Sequence, residues 1–121
     1  MDFKENKPIY LQLADKIMDD AVGRASDADK RLPSVRDYAA EIGVNPNTVN
    51  RSYTWLQDQG IIYNKRGIGY FLEDDAEQKI ITQRQRHFIE DELPEFVRRW
   101  IKLGVSPTLF EEMYKRLSEK D

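Results

Sequence analysis

The 121-residue sequence predicts a mainly α-helical fold with one small β-hairpin. We expect a winged helix-turn-helix domain over residues 1–72 and a helical tail over residues 73–121. Three observations predict this arrangement: two capped amphipathic helices around Gly43, a hairpin pattern after Gly60, and further amphipathic helices in the second part of the chain. A helix-turn-helix followed by a hairpin is the pattern of a winged helix.

The stretch LPSVRDYAAEIGVNPNTV, residues 32–49, predicts the first of these helices. Ser34 is expected to cap it, with Asp37 three residues later as a shorter counterpart of the Glu in a capping box. The helix should end near Gly43, which adopts the left-handed backbone of a tight turn at no steric cost. Its buried face is expected to contain Tyr38, Ala39 and Ile42.

A second helix is predicted from Asn45 to Gln59, with Asn45 as the N-cap and Pro46 at the first helical position. A proline is well tolerated there because that N–H has no partner inside the helix. The predicted buried stripe consists of Val49, Ser52, Tyr53 and Leu56. The polar side chains left exposed near the helix start are Asn47, Thr48, Asn50 and Arg51.

The run IIYNKRGIGYFL after Gly60 predicts a β-hairpin with apolar arms and a basic, glycine-rich tip. Lys65 and Arg66 lie at that tip beside Gly67, within expected reach of a DNA phosphate or the minor groove. An ordinary solvated turn has a similar composition. The position of the hairpin after two capped helices favours the DNA-binding interpretation.

From Pro8 to Leu72 the chain resembles the DNA-binding domain of the GntR family of bacterial transcription regulators. The motifs that carry this resemblance are PIYLQLADKI, LPSVRDYAAEIGVNPNTVNRSYTWLQDQGII and RGIGYFL, in the family's order and at nearly its spacing. The resemblance implies a DNA-binding function for this part of the chain.

The resemblance also implies which residues contact DNA. Ser34 and Arg36 match contacts at the start of the middle helix, with Arg36 expected to bind a phosphate or a guanine. Arg51 is expected to contact a phosphate, and Asn50 stands where some relatives have an Arg. The other matches are Asn45, Asn47 and Thr48 at the head of the recognition helix, and Arg66 and Gly67 in the wing.

The loop VGRASDADKRLPS departs from the family pattern, which usually has a glycine-rich, proline-containing turn here. Asp27 and Asp29 are expected to point away from DNA because they would repel its phosphates. Lys30 and Arg31 are expected to offset these two acids.

The tail after Leu72 predicts helices that cannot bury their own apolar faces. A helix over residues 73–92 has Ile80, Ile81, Phe88 and Ile89 as candidate buried positions, with an interruption at Pro94 and an end at Gly104. Ser106 and Pro107 begin another helix. We expect a symmetric homodimer whose interface contains Phe96, Trp100, Leu103, Phe110, Met113 and Leu117. The alternative is packing of these residues against the winged domain.

A two-helix tail without a larger ligand-binding domain resembles the YtrA subfamily of the GntR family, in which such helices serve dimerisation. The tail has no room for a separate effector domain, so an effector, if one exists, is unspecified. His87 is the only histidine and is expected to be an ordinary helix-surface residue. No cofactor and no metal site are expected.

The net charge of −3 does not argue against DNA binding, because the excess of acidic residues lies in the tail. Between Lys30 and Arg66 there are 6 basic and 3 acidic residues. There are no cysteines and no apolar run long enough to span a bilayer, so a cytoplasmic protein without membrane contact is expected. The sequence has no phosphate loop and no Cys or Ser nucleophile with a plausible His partner, and its carboxylate clusters resemble solvated helix-end charges, so we do not expect an enzyme.

The sequence therefore predicts a homodimeric transcription repressor that binds an inverted-repeat operator in double-stranded DNA. The competing hypothesis is a winged-helix module that binds another protein. The two hypotheses differ in where Arg36, Arg51 and Arg66 should lie, because DNA binding requires them on one face.

Overall fold

The computed structural model describes residues 6–22 and 30–119, and the chain divides into two compact units, Met1–Gln83 and Arg84–Asp121. The elements of the first unit are helices α1 (Ile9–Ala21), α2 (Val35–Ile42) and α3 (Pro46–Asp58), strands β1 (Ile62–Lys65) and β2 (Gly69–Leu72), and most of helix α4 (Ala76–His87). The second unit continues with a π-helical segment (Phe88–Glu92), helix α5 (Leu93–Lys102) and helix α6 (Pro107–Ser118).

Helices α2 and α3 form the predicted helix-turn-helix. The Ser34 side chain caps α2 by accepting a hydrogen bond from the backbone N–H of Asp37 at 3.1 Å. Gly43 ends α2 in the left-handed conformation, with a φ of 70°. Asn45 then caps α3 through a 2.8 Å bond from the Asn47 N–H, and Pro46 is the first residue of that helix. The predicted caps and turn are confirmed.

The core of the first unit lies between α1 and α3 and extends to α2 and the hairpin. The predicted buried stripe of α3 is confirmed, since Val49, Ser52, Tyr53 and Leu56 are all fully buried. Ser52 donates a hydrogen bond from its hydroxyl to the backbone carbonyl of Tyr10 at 2.7 Å, which joins α3 to the first turn of α1. The apolar residues that share this core include Leu13, Ala14, Ile17, Met18, Leu32, Ile61, Ile62 and Leu72.

Strands β1 and β2 form the antiparallel hairpin, in a register that runs from Ile62 opposite Leu72 to Lys65 opposite Gly69. A third segment, residues 30–32, pairs with the other edge of β2. Its contacts are a bridge between Arg31 and Phe71 and backbone bonds from Leu32 N to Tyr70 O and from Leu72 N to Lys30 O, at 2.9 and 2.8 Å. The segment that leads into α2 therefore supports the wing, which the sequence did not indicate.

Helix α4 begins later than expected, at Ala76 instead of Glu73. Ala76 and Ile80 are buried in the core of the first unit. Of the four apolar positions predicted to be buried along this stretch, only Ile80 is buried. The prediction is wrong for the other three, because the side chains of Ile81, Phe88 and Ile89 are 43%, 52% and 56% exposed. The compact unit that contains the hairpin runs on to Gln83.

The interruption expected at Pro94 occurs just before it, as one wider helical turn. The backbone N–H of Leu93 bonds to the carbonyl of Phe88, five residues back, which is the pattern of a π-helix. Pro94 then occupies an early position in α5. Proline is tolerated there because it has no backbone N–H that would need an acceptor. His87 faces Asp91 across this turn, with Nδ1 at 2.7 Å from the carboxylate.

The end of α5 and the start of α6 follow the sequence prediction. Gly104 adopts a φ of 67° after α5, and Ser106 caps α6 by accepting from the Thr108 N–H at 3.3 Å. Across residues 6–22 and 30–119, every helix is too short or too polar to cross a membrane.

Candidate nucleic-acid interface

The polar side chains of α3 share the face opposite its buried stripe. At 100° per residue, Asn47, Asn50, Arg51 and Thr54 fall on one side of the helix, and all four are exposed. Thr54 was not among the predicted contacts. Its spacing of seven residues from Asn47 is the signal that identifies it. The exposed face of α3 is thus a continuous row of hydrogen-bonding groups two turns long.

The two capping residues keep a free donor while they cap. Ser34 uses an oxygen lone pair for the Asp37 N–H, so its own O–H proton remains available. Asn45 uses its carbonyl oxygen for the Asn47 N–H, so its side-chain NH₂ group remains available. Both side chains are exposed at helix N-termini, which favour anionic ligands such as phosphate.

Arg36 lies on the first turn of α2 and is exposed. Its guanidinium carries N–H donors in a planar fork that matches a phosphate or the O6 and N7 acceptors of guanine. Either ligand is chemically compatible with its position beside the Ser34 cap.

Arg51 is held against an aromatic ring. Its guanidinium carbon lies 4.1 Å from the centroid of the Tyr10 ring, close enough for a cation–π interaction. The structure brings these two residues together with Asn47 and Thr48 around a shallow concavity of about 310 Å³, which Pro8 and Ile9 complete. Three of the predicted contact residues therefore line one recess.

The wing tip is a tight turn. Lys65 is the last residue of β1, and the turn itself consists of Arg66, Gly67 and Ile68, closed by a 2.9 Å bond from Ile68 N to Lys65 O. Gly67 has a φ of 79°, which the third position of a type II turn requires. The side chains of Lys65 and Arg66 are exposed and carry the positive charge of the tip.

Arg31 braces this turn from the neighbouring segment. Its guanidinium donates to the carbonyl of Ile68 at 2.8 Å and packs closely over Gly69, leaving no room there for a side chain without displacement of the guanidinium. Lys30 pairs with Asp74 at 2.8 Å, and this hydrogen bond lowers the pKa of the Asp74 carboxyl. Asp27 and Asp29, whose orientation the sequence predicted, lie outside the described residues.

The family of the chain follows from comparison with known proteins. The family model described as "Bacterial regulatory proteins, gntR family" matches residues 9–72, which is more than half of the chain. The match spans α1, the helix-turn-helix and the wing. The chain belongs to the GntR family.

Two curated GntR-type relatives align along nearly the whole chain. The uncharacterised HTH-type transcriptional regulator YhcF of Bacillus subtilis is 35% identical over 117 residues, which cover 97% of this chain and 95% of YhcF. The HTH-type transcriptional repressor YtrA of the same organism is 28% identical over 118 residues, covering 98% of this chain and 90% of YtrA. The predicted likeness to YtrA is confirmed.

A solved GntR structure has the same architecture. The crystal structure of a GntR-family transcriptional regulator from Bacteroides thetaiotaomicron superposes with a TM-score of 0.79 at 42% identity, and covers 93% of this chain and 98% of that one. With the helix-turn-helix and wing described above, this GntR protein is a DNA-binding transcription regulator.

The second unit of this GntR protein carries an open apolar cleft between α5 and α6. The cleft has a volume of about 400 Å³ and is lined by Phe96, Trp100, Phe110, Met113, Tyr114, Leu117 and Ser118. Five of the six predicted dimer residues line it, and Leu103 lies outside the lining and is 73% exposed. Tyr114 is an additional lining residue, placed there because it follows Phe110 by one helical turn.

Proposed function

We propose that the protein is a homodimeric repressor whose two α3 helices enter successive major grooves of an inverted-repeat operator. The observation that carries the proposal is the exposed row of donors on α3, which begins at a side-chain cap and lies opposite a fully buried stripe. A helix in this position presents its N-terminal residues to base edges. The curated relative YtrA is itself named a repressor.

The DNA contacts divide by chemistry. Asn47, Thr48 and Asn50 have neutral amide or hydroxyl groups suited to base edges and sugar-phosphate oxygens. Arg51, Lys65 and Arg66 are cations whose attraction to phosphates is independent of sequence. Ser34, Arg36, Asn45 and Gly67 complete the proposed contact set.

The proposal of a dimer is supported by the surface of the second unit. Phe96, Phe110 and Leu117 are 49%, 53% and 52% exposed although each lines the cleft between α5 and α6. Soluble monomers seldom expose apolar patches of this kind, and a second copy of the same cleft would cover them. A two-fold dimer presents two equal reading helices, and therefore selects an inverted repeat.

Selection of DNA from a random duplex library tests the operator proposal. We expect enriched sequences to contain an inverted repeat with half-site centres about one helical turn, roughly 34 Å, apart. A single half-site, or a direct repeat, would contradict the proposed two-fold symmetry. Failure to enrich any sequence would contradict specific DNA binding altogether.

Sedimentation of Trp100→Glu tests the dimer. A carboxylate in the cleft is expected to dissociate the dimer, because burial of an unpaired charge is costly. Lys102→Glu is the matched control, since it introduces the same carboxylate on the polar side of the same helix, and it should remain dimeric. A dimeric Trp100→Glu protein would exclude the proposed interface.

A further inference from the structure

We propose that Tyr10 is a positioning residue for DNA binding, whose ring holds the Arg51 guanidinium where it contacts a DNA backbone phosphate. The inference rests on the proposed function, because it assumes that α3 lies against DNA. It adds a residue of α1 to a contact surface otherwise composed of α2, α3 and the wing.

The backbone of Tyr10 is bonded to a buried side chain of α3. Ser52, which is fully buried, donates from its hydroxyl to the Tyr10 carbonyl at 2.7 Å. Ser52 follows Arg51 directly on α3, so the same turn that carries the arginine is bonded to the backbone of the tyrosine. The bond therefore fixes the backbone that carries the Tyr10 ring to the turn of α3 that carries the guanidinium.

The contact with Tyr10 leaves the hydrogen-bonding capacity of Arg51 intact. The guanidinium carbon lies over the ring, 4.1 Å from its centroid, and a cation–π contact uses the π face of the ring and no hydrogen-bond acceptor. The guanidinium fork has five N–H donors, so one guanidinium can contact Tyr10 and donate to a phosphate oxygen at the same time. Because the ring restricts the long side chain beforehand, less rotamer entropy is lost when the phosphate binds.

The surroundings favour an anionic ligand. Among the described residues, those that line the recess with Tyr10 and Arg51 are Pro8, Ile9, Asn47 and Thr48, and none of these six is acidic. The Thr48 hydroxyl and the Asn47 amide are further donors of the kind that bind phosphates. The recess is adjacent to the start of α3, and in the proposed complex it faces the backbone that flanks the groove.

A double-mutant cycle tests the inference, with a random-sequence duplex as the probe and fluorescence anisotropy at fixed salt as the measurement. Tyr10→Leu should weaken binding about two- to fivefold for each bound subunit, the range of an exposed cation–π contact. Tyr10→Phe keeps the ring and should bind like wild type. In an Arg51→Gln background, Tyr10→Leu should have no further effect, because the group that it positions is gone.

Tyr10→Leu in an Arg36→Ala background is the matched control, and there its loss of affinity should add in full to the loss caused by Arg36→Ala. The inference would be overturned if the effects of Tyr10→Leu and Arg51→Gln on affinity were additive. It would also be overturned if Tyr10→Phe and Tyr10→Leu lowered the affinity equally. Thermal unfolding is followed for every variant. If leucine lowers the transition, Tyr10→Met replaces it in the cycle and must meet the same criteria.

The outcomes separate this inference from the proposed function. If the wild-type protein binds no duplex at all, DNA binding itself is refuted. If the wild-type protein binds the duplex and Arg51→Gln binds it equally well, only the Arg51 contact is refuted, and with it the role of Tyr10. For Arg51→Gln we expect a smaller dependence of affinity on salt, as loss of a phosphate contact requires.

Discussion

The hydroxyl of Tyr53 donates a hydrogen bond to the backbone carbonyl of Pro33 at 2.7 Å. Tyr53 is a fully buried residue of α3, and Pro33 immediately precedes Ser34, the cap of α2. The bond therefore ties the predicted recognition helix to the start of the helix before it. Burial raises the pKa of Tyr53, so its hydroxyl stays protonated and remains a donor.

Tyr53→Phe is expected to lower the free energy of unfolding by about 1 kcal/mol, the usual net contribution of such a bond. Urea denaturation measures this difference. Tyr63→Phe is a suitable control because Tyr63 lies on the wing and is 41% exposed. If Tyr53→Phe and Tyr63→Phe lower the free energy of unfolding equally, the hydrogen bond to the Pro33 carbonyl makes no specific contribution to stability.

Gly43→Ala is expected to destabilise the protein by about 1–2 kcal/mol through the backbone alone. Gly43 has a φ of 70°, and a Cβ added there meets no atom within 4 Å, so crowding is not involved. Gly43→Asn should cost less, because asparagine tolerates the left-handed conformation better. An alanine variant as stable as wild type would mean that the turn relaxes.

Stability should fall at alkaline pH because of Tyr38. Burial, followed by the nearby carboxylates of Asp20 and Glu41, raises its pKa from 10.0 to about 12. A raised pKa means that the folded state favours the protonated phenol, so this contribution is complete below pH 10.0 and is lost as the pH rises towards 12.

Urea titrations on either side of pH 10.0 measure this dependence. Tyr38→Phe should show a weaker decline than wild type, with the remainder due to Tyr53, whose pKa is raised in the same direction. If the free energy of unfolding declines equally with pH in wild type and in Tyr38→Phe, Tyr38 is not a source of the pH dependence.

Arg31→Met is expected to weaken binding to a random duplex about two- to tenfold, the range of one lost hydrogen bond. The cause is loss of the bond to the Ile68 carbonyl, which braces the turn that carries Arg66. Anisotropy titrations measure the effect. In an Arg66→Ala background it should disappear, and a full additional loss there would mean that Arg31 contacts DNA directly.

The helix-turn-helix was predictable from sequence because its signals are local. Ser34, Gly43, Asn45 and Pro46 each determine the backbone within a few residues of themselves, and the structure places the caps and the turn as these residues indicate. The buried stripe of α3 follows from helical periodicity in the same way.

The features that the sequence missed depend on residues distant in the chain. Arg31 meets Ile68 and Tyr10 meets Arg51 only because the fold brings α1 and the segment before α2 beside other elements. The burial of Ile80 but not of Ile81 depends on which side of α4 packs on the core, and an apolar pair gives no sign of that.

The most direct measurement of the central claim is the affinity of Arg36→Ala for a selected inverted-repeat duplex at fixed salt. Arg36 is exposed on the first turn of α2, beside the Ser34 cap. If it makes a bidentate contact with a base, its removal should cost on the order of 1–3 kcal/mol of binding free energy.

Lys79→Ala is the control, since Lys79 is an exposed cation on α4 outside the proposed contacts. We predict that Lys79→Ala binds like wild type whereas Arg36→Ala binds the selected duplex much more weakly, with both variants dimeric and folded. Equal affinities of wild type and Arg36→Ala for that duplex would contradict the proposed DNA-binding surface.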